Sequence, residues 1–261
     1  MQVQNACLAR AVLEHLHVDP AGMRHFYWPC RMETFAVPVR GADAPRAAAS
    51  GAAGGPATVT TVLDGCHNED SVRLFLSGLR DEYPARTHAL LVLFGAGMEK
   101  YLGEMVRHLF SLADGVVFVQ SGHFKALSEA DLVVAAEGVE GVGAAALRLK
   151  LLNFDDDNGS TRGSGSSSGS SSSSGVRPCG GCGPATHGPR GRKAEGTVAD
   201  RLQWAVSHAA LETEVRGRTV VVAVCGSLFA AADARVALYN RCPDLFADDD
   251  WVRHCDPPIP P

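Results

Sequence analysis

Thr58 to Asn68, TVTTVLDGCHN, is the stretch that decides the fold. Val59 to Leu63 reads as a buried strand that stops at Asp64-Gly65, and a helix opens near Asn68. In an open α/β sheet, ligands gather at the carboxyl ends of strands, where loop side chains and helix N-termini converge. This joint carries a carboxylate (Asp64), a flexible Gly65, an imidazole (His67) and a capping amide (Asn68). Such a set can hold a sugar hydroxyl and a phosphate together. The plainer alternative is a turn in which Asp64 and Asn68 only satisfy backbone N–H groups.

Outward from this joint the pattern repeats. Upstream, Gln2–Leu16 has apolar residues at helical spacing. Arg31–Val39 alternates as a strand, an edge one because Pro38 donates nothing to a ladder. Residues 40–57 read as a surface loop. Downstream come a helix over Glu69–Leu79, a strand over 88–95, a helix over Met98–Leu112, a strand over 115–121 and a helix capped at Ser128 by SEAD. Residues 138–152 are ambiguous between helix and strand. A helix over Val198–Leu211, a strand over 218–227 and a helix over Leu228–Tyr239 follow. Alternating strands and helices predict an α/β fold with a Rossmann-like, mostly parallel sheet flanked by helices.

Between these elements the composition collapses. Residues 155–196 are Gly, Ser, Pro and Arg, including SSSGSSSSSG, too poor in apolar side chains to offset ordering entropy. They read as a disordered low-complexity insertion. The expected organisation is a junction helix over 1–22, an α/β domain over 23–154 plus 197–261, and the insertion.

Bulk properties narrow the function. The chain of 261 residues has a hydrophobic content of 46%, enough for a packed core. A net charge of −5, with basic residues clustered only at Arg190–Lys193, points away from nucleic acid. No apolar run reaches the roughly 18 residues of a membrane span, and no secretory leader is visible. The eight cysteines are scattered, several inside apolar segments, as reduced thiols are. The expectation is a cytoplasmic monomer that meets neither membrane nor nucleic acid.

Several local motifs fail as sites. Cys179-Gly-Gly-Cys182 with His187 lacks the fourth ligand of a structural zinc site. FGAGMEK (94–100) misses the third glycine of a dinucleotide loop and no acidic residue ends the next strand; of the readings left for Lys100, a solvated side chain outweighs a positive helix start meeting an anion. Cys66 and His67 are adjacent, so their side chains diverge and do not make a nucleophile–base pair. The acidic runs Asp155–Asp157 and Asp248–Asp250 read as solvated surface. More promising, Gly226 gives a tight turn, Ser227 caps a helix or touches a ligand's carboxylate or phosphate, and Arg31 suits a phosphate or carboxylate.

Five stretches together resemble the C-terminal portion of folylpolyglutamate synthase and dihydrofolate synthase, in the Mur-ligase superfamily. They are QVQNACLA (2–9), PCRMETF (29–35), VLDGCHNEDS (62–71), SGHFKALSEADL (121–132) and CGSLFAAADAR (225–235). They stand in the family's order, and GSL with DG-x-HN marks the folate branch rather than the cell-wall ligases. The resemblance covers the chain outside 40–57 and 155–196. It implies nucleotide contacts by Asn5, Arg31 and Asp64, with Asp64 on the ribose and Arg31 near the phosphates. It places His67, as the catalytic residue, near the reacting end of the cleft, and Ser227 where substrate glutamate binds. The implied reaction uses ATP and magnesium to make a folate acyl phosphate, which the amine of L-glutamate attacks. Departures are Cys30 for Gly, Cys66 for Ala, Glu69 for Pro, and Ala230–Ala232 where larger residues are usual. The sequence also contains no Gly-Lys pair, hence no GKGS-type phosphate loop. The expectation is an incomplete ligase, inactive alone, with the magnesium ligands in a missing N-terminal half and a mitochondrial form allowed. The rival expectation is a stand-alone, non-catalytic module that binds a nucleotide or a partner.

Overall fold

The computed structural model describes residues 2–21, 28–39, 57–142, 150, 152 and 196–254. By contact the chain divides into residues 1–152 with 196–261, and residues 153–195. The expected disordered insertion, the Cys179/Cys182/His187 group and the Asp155–Asp157 run lie outside the described residues. So do the 40–56 part of the expected loop and most of the ambiguous 138–152 segment.

Five strands build the sheet: β1 (Glu33–Pro38), β2 (Thr58–Leu63), β3 (His88–Phe94), β4 (Gly115–Phe118) and β5 (Thr219–Cys225). Their spatial order is β1-β2-β5-β3-β4. β1 runs antiparallel to β2, with Pro38 opposite Thr58 at the edge, where its missing N–H costs no ladder bond. All other pairings are parallel. The last strand in sequence therefore sits at the centre, and its burial follows: Val221 to Cys225 are each fully buried. A strand covered on both faces must be apolar throughout, and TVVVAVC is.

Helices cover both faces. On one, α2 (Glu69–Glu82), α3 (Leu102–Leu112) and α4 (Glu129–Glu137) bury Val72, Leu76, Leu79, Met105, Leu109 and Leu132 against β3, β4 and β5. On the other, α5 (Val198–Arg216) and α6 (Leu228–Arg241) bury Leu202, Ala205, Ala209, Ala234 and Leu238 against Leu63, Leu93 and Val222. The expected α/β class and mostly parallel sheet are thus present. α1 (Gln2–His15) carries exposed Leu8 and Val12, 67% and 50% accessible.

Helix starts follow local chemistry, at the expected caps Asn68 and Ser128 and also at Thr197. Asn68, Ser128 and Thr197 each make a reciprocal capping box with the residue three positions on. Three helices run beyond their expected ends. α2 reaches Glu82, α6 reaches Arg241, and α5 continues past Leu211 to Arg216 until Gly217 takes a left-handed conformation (φ 65°).

One expected start is wrong. The helix read from Met98 begins at Leu102. Gly97 instead bridges Ala126, and the Met98 N–H donates to the Lys125 carbonyl at 2.9 Å. The FGAGMEK segment is spent on a loop–loop contact, and Lys100 is exposed, in line with the solvated reading.

Candidate functional site

Four of the five predicted site residues lie at or beside the carboxyl edge of β2 and β5. Asp64 follows β2 and is 3% exposed. A buried carboxylate needs donors, and the turn supplies them. Oδ2 accepts from the Met32 N–H at 2.9 Å and Oδ1 from the Cys66 N–H at 2.8 Å. Arg31 Nη1 approaches Oδ1 at 3.4 Å. The Arg31 side chain is 39% accessible, so its guanidinium is oriented by Asp64 yet open to solvent.

The loop presenting Arg31 is held by backbone as well. Gly65 N–H donates to the Cys30 carbonyl at 2.8 Å. Cys30 and Met32 on either side of Arg31 have φ of 56° and 50°, the left-handed region. That conformation explains why glycine is the residue expected at position 30. Cys30 takes it at a steric cost, and its thiol is buried. Burial, and then the nearby Glu33 carboxylate, push that thiol's pKa up to about 12.

His67 and Ser227 close the edge. His67 is exposed, with Nδ1 2.9 Å from the Gly65 carbonyl, while Cys66 is buried, so the two side chains do diverge. The Cys66 thiol instead meets Cys225 at the end of the central strand. Their hydrogen bond, then burial, raise the Cys225 pKa well above the ordinary thiol value. Gly226 N–H donates to the Cys66 carbonyl at 2.9 Å, joining the two strand ends. Gly226 has φ 93°, and a Cβ there would collide with the Gly95 carbonyl and the Phe94 ring. Ser227 caps α6, accepting from the Phe229 N–H at 3.2 Å. Asn5 lies on α1, and its side chain is outside the described residues.

Sequence reasoning missed the group that supports this edge. Arg235 on α6 is fully buried, and its Nε donates to Glu33 at 3.1 and 3.0 Å. Nη1 donates to Asp250 at 2.9 Å, and the guanidinium lies 4.9 Å from the Phe246 ring centre. Glu33 in turn accepts from the Cys30 N–H at 2.8 Å. The Asp248–Asp250 run is therefore not simply solvated surface: the Asp250 side chain is 6% accessible. Burial alone would raise the Asp250 pKa. The hydrogen bonds from Arg235 and the Val252 N–H, with the charges of Arg235 and Arg253, outweigh it and lower that pKa. The available signal was a charged residue in each of the quoted stretches 29–35 and 225–235, with Arg235 in line with buried Ala231 and Leu238.

A second wall comes from the loop after β4. The Gly122 N–H donates to Asp233 at 2.8 Å, and His123 stacks on Phe229 with centroids 3.8 Å apart. Phe124 is 82% exposed beside Lys125, which pairs with Glu99. Two of the small residues at 230–232 have a packing reason. Ala230 and Ala231 are fully buried where α6 meets the sheet. The edge thus offers a solvent-reaching guanidinium oriented by Asp64 beside the strand ends from which α2 and α6 start, and cations and helix N-termini both favour an anion.

No family profile matches the chain, and no curated protein sequence matches it. Solved structures do. Folylpolyglutamate synthase of Mycobacterium tuberculosis, complexed with ADP and AMPPCP, superposes with a TM-score of 0.50 at 16% identity. The match covers 84% of this chain and 34% of that one. The same enzyme complexed with ADP gives 0.48 at 18% identity, again over 84% and 34%. The bifunctional folylpolyglutamate synthase/dihydrofolate synthase of Yersinia pestis gives 0.38 at 12% identity, over 82% and 32%. This chain spans about a third of the length of those structures. The α/β fold of this chain is similar to that of a segment of the Mycobacterium tuberculosis folylpolyglutamate synthase structure.

Proposed function

We propose that this chain is the C-terminal part of an ATP-dependent ligase that adds L-glutamate to folates through an acyl phosphate. The observation that carries the reading is Arg31, oriented by Asp64 and open to solvent at the edge where α2 and α6 begin. An anion entering there meets a guanidinium and two helix N-termini. In this reading Arg31 draws in the nucleotide phosphates, and Asn5 and Asp64 complete the nucleotide contacts. Asp64 also holds the loop, because its oxygens accept two backbone N–H groups. A ribose hydroxyl takes one of its remaining lone pairs. His67 faces the reacting end as the catalytic residue, and Ser227 meets the incoming glutamate. Orientation and charge stabilisation supply most of the rate in such a transfer.

Magnesium does not fit at Asp64. The Asp64 carboxylate is already engaged by two N–H donors and a cation, so it has little left to offer a hard divalent ion. The reaction's metal and phosphate loop belong in this reading to a domain outside the present sequence, and the chain alone is inactive. We place the protein in the cytoplasm, as a monomer. The rival reading is a stand-alone nucleotide- or partner-binding module, motivated by Cys30, Cys66 and the alanines at 230–232.

The test has two parts. Calorimetric titration with ADP should detect binding that Arg31→Ala abolishes; no binding, or binding indifferent to Arg31, removes the nucleotide site. The mass of the endogenous protein and the 5′ end of its transcript then separate the readings. An upstream GKGS-type loop supports the ligase, and an authentic start at Met1 supports the module. Folate polyglutamate made by the isolated chain would overturn the claim of incompleteness.

A further inference from the structure

Away from the Arg31–Asp64 pair, three side chains with metal-ligand chemistry converge between α2 and α3. Glu69 is the first residue of α2, while Glu104 and His108 lie four apart on α3 and so share a face. One carboxylate oxygen from each glutamate and one ring nitrogen of His108 all lie within 4.8 Å of one another. Glu69 is exposed, and Glu104 and His108 are half-buried.

Acidic residues in the first turn of a helix are favoured by the helix dipole alone. That accounts for Glu69 and Glu104 singly. It does not account for their approach to each other from two helices, nor for an imidazole between them. One cation is close: Arg107 pairs with Oε1 of Glu104. Its other nitrogens donate to the Glu140 carbonyl at 3.2 and 3.1 Å, which anchors the guanidinium on that side. Arg107 thus offsets one of the two carboxylates, and Glu69 with His108 stays grouped around Glu104.

We propose that Glu69, Glu104 and His108 form a binding site for a first-row divalent cation of the zinc class. One imidazole nitrogen and two carboxylate oxygens suit such ions, whereas magnesium and calcium prefer oxygen throughout. Three protein ligands leave a fourth position for water. With metal–ligand distances of about 2.0–2.2 Å, tetrahedral ligand atoms stand roughly 3.4 Å apart, so side-chain rotations that close at most about 1.4 Å complete the site. The site is distinct from the magnesium of the proposed ligase reaction, and it stands if that reading falls. Its position gives it a consequence: an ion there ties α3 to the first residue of α2, next to the Asn68 cap and two residues from His67.

The test uses the whole chain carrying Cys179→Ser and Cys182→Ser, so that added zinc has no Cys-x-x-Cys thiol pair to bind. The protein is stripped with chelator and titrated with zinc and with cobalt(II). The expected result is one ion per chain, a raised unfolding temperature, and a cobalt spectrum without a thiolate charge-transfer band. His108→Gln and, separately, the exposed Glu69→Gln should each weaken binding by more than about tenfold. They should leave the melting temperature of the metal-free protein near that of the parent. Binding of equal strength in the parent and in His108→Gln, a thiolate band, or no binding at all would overturn the proposal.

Discussion

Arg235 and Glu33, 202 positions apart in sequence, form an ion pair in which the guanidinium is wholly buried. Glu33 also accepts the Cys30 N–H, and Arg235 also holds Asp250. One side chain on α6 therefore fixes both the loop that presents Arg31 and the segment after α6.

Arg235→Met should destabilise the protein by about 3–5 kcal/mol, because Glu33 and Asp250 are left as buried charges without their partner. Urea unfolding measures this. A triple change that also makes Glu33→Gln and Asp250→Asn should recover part of the loss. Failure to recover any would mean that the charges are not the cause.

Arg31 and Asp64 should separate binding from stability. Arg31→Ala removes a half-exposed side chain and should cost no more than about 1 kcal/mol of stability while eliminating ADP binding. Asp64→Ala strands the Met32 and Cys66 N–H groups and should cost about 2–6 kcal/mol, at about 1–3 for each. Thermal melts beside nucleotide titrations decide this; equal losses of stability from the two variants would contradict the assigned roles.

Gly226→Ala combines a left-handed backbone with a collision against the Gly95 carbonyl and the Phe94 ring. Strain and overpacking together predict a loss of about 2–5 kcal/mol. Gly78→Ala is the control, since a Cβ at Gly78 meets nothing within 4 Å. It should be neutral or stabilising by up to about 1 kcal/mol. Denaturant midpoints of the two variants provide the comparison.

Alkali should weaken the fold through Cys30. Its folded pKa, about 12, lies above its ordinary value of 9.0, so the folded state keeps a proton that the unfolded chain loses. The stabilisation is complete below pH 9 and fades as the pH rises toward 12, at up to about 1.4 kcal/mol per pH unit. Cys30→Ala should flatten that slope in stability measured from about pH 8 to pH 11. Labelling at neutral pH should modify exposed Cys7 at once. It should reach Cys30, Cys66 and Cys225 only on unfolding.

Local order was legible because its causes are local. SEAD and the Asn68 joint cap helices through bonds spanning three residues, and short apolar runs placed β2, β3 and β5. Asp64, Gly226 and Ser227 stood out because each ends a strand. What the sequence could not determine depended on distant partners. The start of α3 moved because Gly97 and Met98 found Ala126 and Lys125 across the edge. The central place of β5 follows from helices packing on both faces, which no single segment encodes. Arg235 reads as one more charged helix residue until folding brings Glu33 and Asp250 to it. In low-dielectric surroundings only that meeting makes a buried guanidinium tolerable. Motif and cap were written in neighbouring residues; the support of the site came from charges that meet only after the chain has packed.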